Sequence, residues 1–332
     1  MTPEKFLSPF IDFVDKHFGR GQHKYVFITS EKYLFGLTPS HGVEFLHTDE
    51  DIFTTLAAYM QDARKIILHG LWRDKIDQLL IRESMLLEKS YWVMWGGDFY
   101  FPERHSDSRH IVIKNVKGLV TYIPKDIEYV RELYGAQGKH YRCLMYSSNV
   151  IHDSEIIIDH AVNGNSKMSF LLGNSASSSN NHFEIIEKIS FYSWSNCDFY
   201  VPLSYGDLDY ASKVISYGER KLGDSFKPIT NYMSWDKYRS FLRAIDVGVF
   251  NHDRQQAMGV SIHLLGYGKK LYIKKNTAQW FYFLSQGIEV NDFNDFSPEG
   301  LNLIERNCND EIVYAIHSIE NLIAQWYEVF ND

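Results

Sequence analysis

Between residues 168 and 186 the chain reads MSFLLGNSASSSNNHFEII: an apolar run ending at Gly173, a loop of small hydroxyl and amide residues, then a helical pattern. A strand, a small-residue loop and a helix start can together cradle an anion. The loop backbone approaches a phosphate closely, and the first helical N–H groups and the helix dipole point at it. The candidate donors are Gly173, Asn174, Ser175 and Ser177, with Asn180 or Asn181 as the helix cap. The loop lacks both the P-loop Lys and the spaced glycines of a dinucleotide fingerprint. A solvated strand-to-helix loop rich in Ser and Asn therefore stands beside the phosphate reading.

Four more polar clusters follow apolar runs, the place where open α/β sheets bind ligands. They are His69-Gly70, Trp95-Gly96-Gly97-Asp98, Pro202 with Ser204, Tyr205 and Gly206, and His252 with Arg254, Gln255 and Gln256. Asp98 follows two glycines and is a candidate general base toward a hydroxyl, or a turn Asp bonded to nearby backbone. His69 is a candidate base, a sugar-hydroxyl partner or a satisfied core histidine. Arg254 is the natural cation for a phosphate. Gln255 and Gln256 suit a nucleoside or sugar, or a solvent-facing helix start; Tyr205 can stack on a base or close a loop.

Two Asp-x-Asp patterns, Asp49-Glu50-Asp51 and Asp207-Leu208-Asp209, have the form that holds a divalent cation on a diphosphate. Both stand where a helix begins, so capping and the helix dipole explain them, and no metal site is assigned. His105, Asp107, Arg109 and His110 crowd one loop without a metal-ligand spacing. With Arg104, Lys114 and Lys117 nearby, that segment is suited to anionic lipid head groups, an acceptor pyrophosphate, or solvent.

The elements that must position these residues alternate nearly throughout. Strands are expected at Tyr25–Thr29, Ile66–His69, Tyr91–Trp95, Leu119–Tyr122, Tyr141–Met145, Met168–Leu172, Phe199–Leu203, Val247–Phe250 and Leu271–Lys274. Helices are expected at Arg73–Lys89, Phe183–Tyr192, Leu208–Leu222 and Trp235–Ala244. That alternation gives parallel sheets covered by helices, an α/β class. A first helix is signalled by Ser8 as cap, Pro9 at its first position and Gly19 as its stop. A last helix carries Ile312, Ile316, Ile319, Ile323, Trp326 and Phe330 as one apolar stripe that needs a partner surface.

At 332 residues the chain exceeds a usual single core, so two domains are expected. The polar stretch from Asn149 to Lys167, with the turn NGNS at 163–166, is the best boundary. A net charge of −8 argues against nucleic acid as a partner. Cys143, Cys197 and Cys308 form no CxxC pair and read as thiols of a reducing compartment. There is no basic-then-apolar leader and no apolar run approaching membrane length, so a cytosolic, at most peripheral, protein is expected.

The chain resembles the TDP-N-acetylfucosamine:lipid II N-acetylfucosaminyltransferases, glycosyltransferase family 56. The resemblance rests on Trp95-Gly96-x-Asp98, on Gly173-Asn174-Ser175 followed by Ser179-Asn180-x-His182, and on Val201-Pro202-Leu203 with Tyr205. Arg254-Gln255-Gln256 followed by Gly259, and Trp280 after a late strand, add to it, the order holding from about residue 5 to 330. It implies a GT-B fold, two Rossmann-like domains facing across a cleft. Residues 1–155 would bind the acceptor, joined by a C-terminal helix over 312–332 that crosses back, and residues 156–311 the nucleotide-sugar donor. It implies a metal-independent hexosyltransferase without cofactor, acting at the cytoplasmic face of the inner membrane. Donor and acceptor would be a TDP-sugar and a polyprenyl-diphosphate-linked saccharide, in assembly of surface polysaccharide such as enterobacterial common antigen. Gly173, Asn174, Ser175, Ser177, Asn180, Tyr205, Arg254, Gln255 and Gln256 would hold the donor. Asp98, His69 and Arg254 are the catalytic candidates, Asp98 as base if the anomeric centre inverts. The alternatives are a UDP- or GDP-linked donor with another acceptor, or a non-catalytic nucleotide-sugar-binding subunit. The family pattern opens with a β-strand, whereas this chain starts almost directly at its first helix, so a rearranged first sheet or a missing beginning is expected.

Overall fold

The computed structural model describes residues 6–28, 36–151, 167–298 and 309–332. It divides into two compact units, Met1–Ser148 with Ile319–Asp332, and Asn149–Ser318. The chain thus passes from one unit to the other at Ser148/Asn149; the expected boundary at 155/156 and the NGNS turn lie outside the described residues, as does Cys308.

In the first unit, β1 (Val26–Ile28) and β2 (Glu44–Leu46) form a parallel pair. A separate sheet runs β3-β4-β5-β6 through Ile66–His69, Ser90–Val93, Gly118–Val120 and Lys139–Tyr141, every pairing parallel. Helices cover both faces, which is why β4 and β5 are buried along their whole length rather than in alternation. Leu79, Leu80, Val112, Ile113 and Val130 from three helices share a core with Trp92 and Leu119. A cavity of about 940 Å³ is lined by Phe10, Val14, Ile28, Leu56, Ile66 and Leu68.

In the second unit, β7 (Met168–Leu172), β8 (Cys197–Pro202), β9 (Phe226–Ile229), β10 (Val247–Phe250), β11 (Lys270–Ile273) and β12 (Asn291–Asp292) form one parallel sheet in the order β12-β11-β10-β7-β8-β9. The chain winds outward from β7 to β9, returns to pair β10 with β7, and winds the other way. Such a reversal opens a crevice at the carboxyl ends of the two central strands. Here those ends are Leu172, paired with Val249, and Phe250.

Several local expectations change. The first helix is Leu7–Phe18 and stops at Gly19, whose φ is 86°, but Ser8 lies inside it. Its hydroxyl donates to the Gly36 carbonyl at 3.1 Å, so Ser8 ties the helix to a loop instead of capping it. The helix expected over Arg73–Lys89 is Asp74–Arg82 followed by a 3₁₀ turn at Ser84–Lys89. The apolar stripe near the C-terminus belongs to two helices, Asn309–Ile316 and Ile319–Asn331, one in each unit. The break falls at buried His317, whose ring bonds the Asn149 carbonyl and the Tyr282 hydroxyl, both at 2.9 Å. Short β2, β9 and β12 carry too little apolar pattern to be read from sequence. Cys143 and Cys197 are buried and free. Among the described residues no helix is long and apolar enough to cross a membrane.

Candidate functional site

The carboxyl ends of β7, β8 and β10 carry a continuous polar network. Gly173 turns the chain out of β7 with φ 66°, and a side chain there would strike His182 Nε2 at 2.5 Å and Asn180 Oδ1 at 2.8 Å. Asn180 uses all of its hydrogen-bonding capacity. Its Oδ1 accepts from Asn174 N at 2.9 Å and His252 Nε2 at 3.1 Å; its Nδ2 donates to Ser175 Oγ at 3.3 Å and Ser177 O at 3.1 Å. Gln256 Nε2 donates to Asn174 Oδ1 at 2.8 Å, and its Oε1 accepts from Ser179 Oγ at 2.7 Å. Asn174 Nδ2 donates to the Tyr205 hydroxyl at 3.1 Å. Ala176 bridges to Gly206 across β7 and β8, a contact so close that a Cβ on Gly206 would lie 2.5 Å from the Ala176 carbonyl oxygen.

This network changes the expected anion cradle. Gly173 N donates to Val249 O at 3.1 Å, Asn174 N to Asn180, and Ser177 N to Ser175 O at 2.8 Å. Those main-chain amides hold the loop together and cannot also face a phosphate. Ser175 and Asn180 are buried, so their side chains belong to the scaffold. Neither asparagine caps the following helix through its side chain. Asn181 stands at the cap position with φ 52°, while its Nδ2 donates to Asn251 O and Asp253 Oδ1.

The groups nearer the surface are Tyr205, 43 % exposed, and Arg254, partly exposed, with Gln255 and Gln256 buried behind it. Arg254 Nη1 donates to the Gln255 carbonyl at 3.1 Å. Four residues on, the helix Met258–Gly266 begins, and first-turn N–H groups have no partner within a helix. Guanidinium and helix start therefore belong to one loop, whose chemistry suits an anion, and the helix start is a feature the sequence reading did not single out.

Among the described residues, His182 Nε2, His252 Nδ1 and Gln279 Oε1 are buried polar atoms at this sheet end without a well-aligned hydrogen bond, the His252 and Gln279 side chains lying close enough to interact. They follow β7, β10 and β11, which are neighbours. Burial holds the His182 ring neutral, its pKa pulled down to about 4. Burial, with the Arg254 charge, pulls His252 to about 3. Because His252 Nε2 donates to an amide oxygen, its Nδ1 is an acceptor, with the Gln279 side chain and the Gln256 main chain as neighbours of the ring. Gln279 was missed by sequence reasoning; its signal is one amide in the otherwise apolar-aromatic stretch AQWFYFLS.

In the first unit the catalytic expectations for Asp98 and His69 meet a different geometry. Asp98 is fully buried. Its Oδ2 accepts from Leu71 N at 2.9 Å and Trp92 Nε1 at 2.7 Å, and its Oδ1 from Trp95 N at 3.0 Å. Burial pushes its pKa up and these donors oppose the shift. So enclosed, the carboxylate holds the loops after β3 and β4 together and presents no exposed oxygen in this geometry. His69 is buried against Phe10 and Trp326, with Nδ1 2.8 Å from the Tyr146 hydroxyl, and burial pulls its pKa to about 3. That is a neutral core histidine. Arg109 is no surface cation: its Nε donates to Asp77 at 2.7 Å, inside the core. Both Asp-x-Asp patterns act as caps, Asp51 accepting from Thr48 N and Asp207 from Tyr210 N, each at 2.9 Å.

A sequence model of the family described as 4-alpha-L-fucosyltransferase, glycosyl transferase group 56, matches residues 5–299. Among solved structures, Anabaena Alr3699/HepE in complex with UDP and glucose is similar over 99% of this chain and 96% of its own, with TM-score 0.68 at 10% identity. WaaG, a glycosyltransferase involved in lipopolysaccharide biosynthesis, is similar over 98% and 94%, TM-score 0.63 at 14% identity. A glycosyltransferase from Rickettsia africae is similar over 96% and 93%, TM-score 0.62 at 11% identity. The shared fold is GT-B, two α/β units on parallel sheets.

Proposed function

Because the chain belongs to the glycosyl transferase group 56 family and is a glycosyltransferase, we propose that it moves a deoxy-amino hexose, of the N-acetylfucosamine kind, from a TDP-sugar to a lipid-linked saccharide. The observation that carries this reading is the reversal point of the second unit's sheet. There the loops after β7, β8 and β10 are hydrogen-bonded into one frame with Arg254 and Tyr205 toward its surface. The solved HepE complex holds UDP and glucose, which supports a nucleotide-sugar donor here.

Tyr205 stacks on the base, and Gln255 and Gln256 fix the loop that presents Arg254. Breaking the anomeric bond leaves negative charge on the β-phosphate. Arg254 and the N-terminus of Met258–Gly266 stabilise that charge without a metal. Gly173, Asn174, Ser175, Ser177 and Asn180 act one step back, as the frame that sets this loop. The first unit receives the acceptor, at the cytoplasmic face of a bacterial inner membrane. Arg104, Lys114 and Lys117 remain exposed there beside exposed Ile111, a surface suited to anionic head groups.

A thermal-shift panel tests the donor. Ligands that bind only the folded state raise its melting temperature, and TDP should raise it most. A larger shift with UDP or GDP would move the donor to that nucleotide. No shift with any of them at millimolar concentration would sink the reading.

A further inference from the structure

Trp72 and Trp95 end neighbouring loops of the first unit, after β3 and β4, with ring centroids 5.5 Å apart and planes inclined by 55°. Trp72 is 43 % exposed. Neither ring is loosely held. Trp95 Nε1 donates to the Tyr146 hydroxyl at 2.8 Å, and Phe6 meets the indole edge-on at 4.8 Å. Trp72 folds back over Gly70, whose φ is 72°; a Cβ on Gly70 would lie 2.2 Å from Trp72 Nε1.

The backbones of both loops converge on one buried cluster. Asp98 accepts from Leu71 N, one residue before Trp72, and from Trp95 N. Arg109 donates to the Leu71 carbonyl and, at 3.4 Å, to the Asp98 carbonyl, while Asp77 accepts from its Nε. Asp98, Arg109 and Asp77 are each at most 4 % exposed. Burying such charges is costly, and here they fix the peptide immediately before an exposed indole. The exposed Trp72 ring, walled on one side by the half-buried and inclined Trp95 ring at the carboxyl ends of parallel strands, offers one apolar face to a flat ligand.

We propose that Trp72 and Trp95 form the stacking platform for a pyranose ring of the acceptor saccharide, and that Asp98 is the positioning residue that sets both loops. The sugar's C–H face lies on the Trp72 indole with Trp95 as the side wall, leaving its hydroxyls toward solvent and exposed Arg73. This rests on the acceptor being received by the first unit.

Saturation-transfer NMR on the full chain with a panel of methyl pyranosides (glucoside, mannoside, galactoside and their 2-acetamido forms) tests it, with TDP and UDP titrated in parallel. Trp72→Ala should weaken saccharide binding at least tenfold and leave nucleotide affinity within twofold. Trp72→Tyr should restore most of the saccharide affinity. Asp98→Asn should show the same selective loss as Trp72→Ala; if that variant does not fold, exposed Trp72 decides alone. Absence of saccharide binding by the unaltered chain would overturn the proposal, as would unchanged saccharide binding in Trp72→Ala. Weakened nucleotide binding in Trp72→Ala would also overturn it, making the platform a nucleobase site. Failure of the donor reading shows separately, as loss of nucleotide binding by the unaltered chain.

Discussion

Gln256 Nε2 and Asn174 Oδ1 lie 2.8 Å apart, a hydrogen bond that joins the loop after β10 to the loop after β7 where strand order reverses. Through Asn174 the bond reaches Tyr205, and through Gln256 it reaches Ser179. Each member restricts the next, so the network behaves as one rigid piece rather than as separate contacts. The polar residues that looked like ligand contacts in the sequence mostly build the frame. Arg254 and Tyr205 are left toward its surface.

Arg254→Ala should leave the melting temperature within a few degrees of the unaltered protein, because the side chain is partly exposed. Turnover should fall by about 10²–10³, the loss typical when one preorganised charge-stabilising donor is removed. Steady-state kinetics with the TDP-sugar checks it, and unchanged turnover would take Arg254 out of the mechanism.

Gly173→Ala should destabilise the second unit by about 1–3 kcal/mol, because φ 66° disfavours any side chain and the new methyl would press on His182 and Asn180. Denaturant melts measure the loss. Nucleotide affinity should drop with it, since the displaced asparagine sets the whole frame.

Three buried histidines make stability fall in acid. Burial holds His69 near 3, His182 near 4 and His252 near 3 in the folded chain. In the unfolded chain each titrates near 6.5. A depressed folded pKa means that the unfolded state binds the extra proton between those values. Their contribution is therefore complete above about pH 6.5 and is lost as pH falls toward 4 and then 3. Thermal melts from pH 7.5 to 4.5 should show a steady decline, flatter in His252→Gln. A melting temperature constant from pH 7 to 5 would contradict it.

Activity should persist in excess EDTA. Asp51 and Asp207 serve helix caps, which accounts for one carboxylate of each Asp-x-Asp pattern without a cation. Loss of turnover with rescue by magnesium would overturn this.

Much of the second unit is readable in one dimension. Its central strands are short unbroken apolar runs, because helices cover both faces of a parallel sheet. Met168–Leu172 and Val247–Phe250 fall where their pattern predicts, and so does the long amphipathic helix Leu208–Leu222. A stripe spaced by three and four does not register the break between Asn309–Ile316 and Ile319–Asn331. That break is made by His317, whose partners Asn149 and Tyr282 are far away in sequence.

By itself the sequence determined the alternation of strand and helix, the family, and the loops at which polar residues collect, since these follow from local periodicity and from turn chemistry. Only the tertiary structure decided which polar groups face a ligand and which face the protein. Asp98 and Arg254 look alike as charged loop residues. One has its carboxylate enclosed by Leu71, Trp92 and Trp95, while the other keeps part of its surface toward water. Burial and hydrogen-bond partners come from distant parts of the chain meeting in space, and no local pattern encodes them.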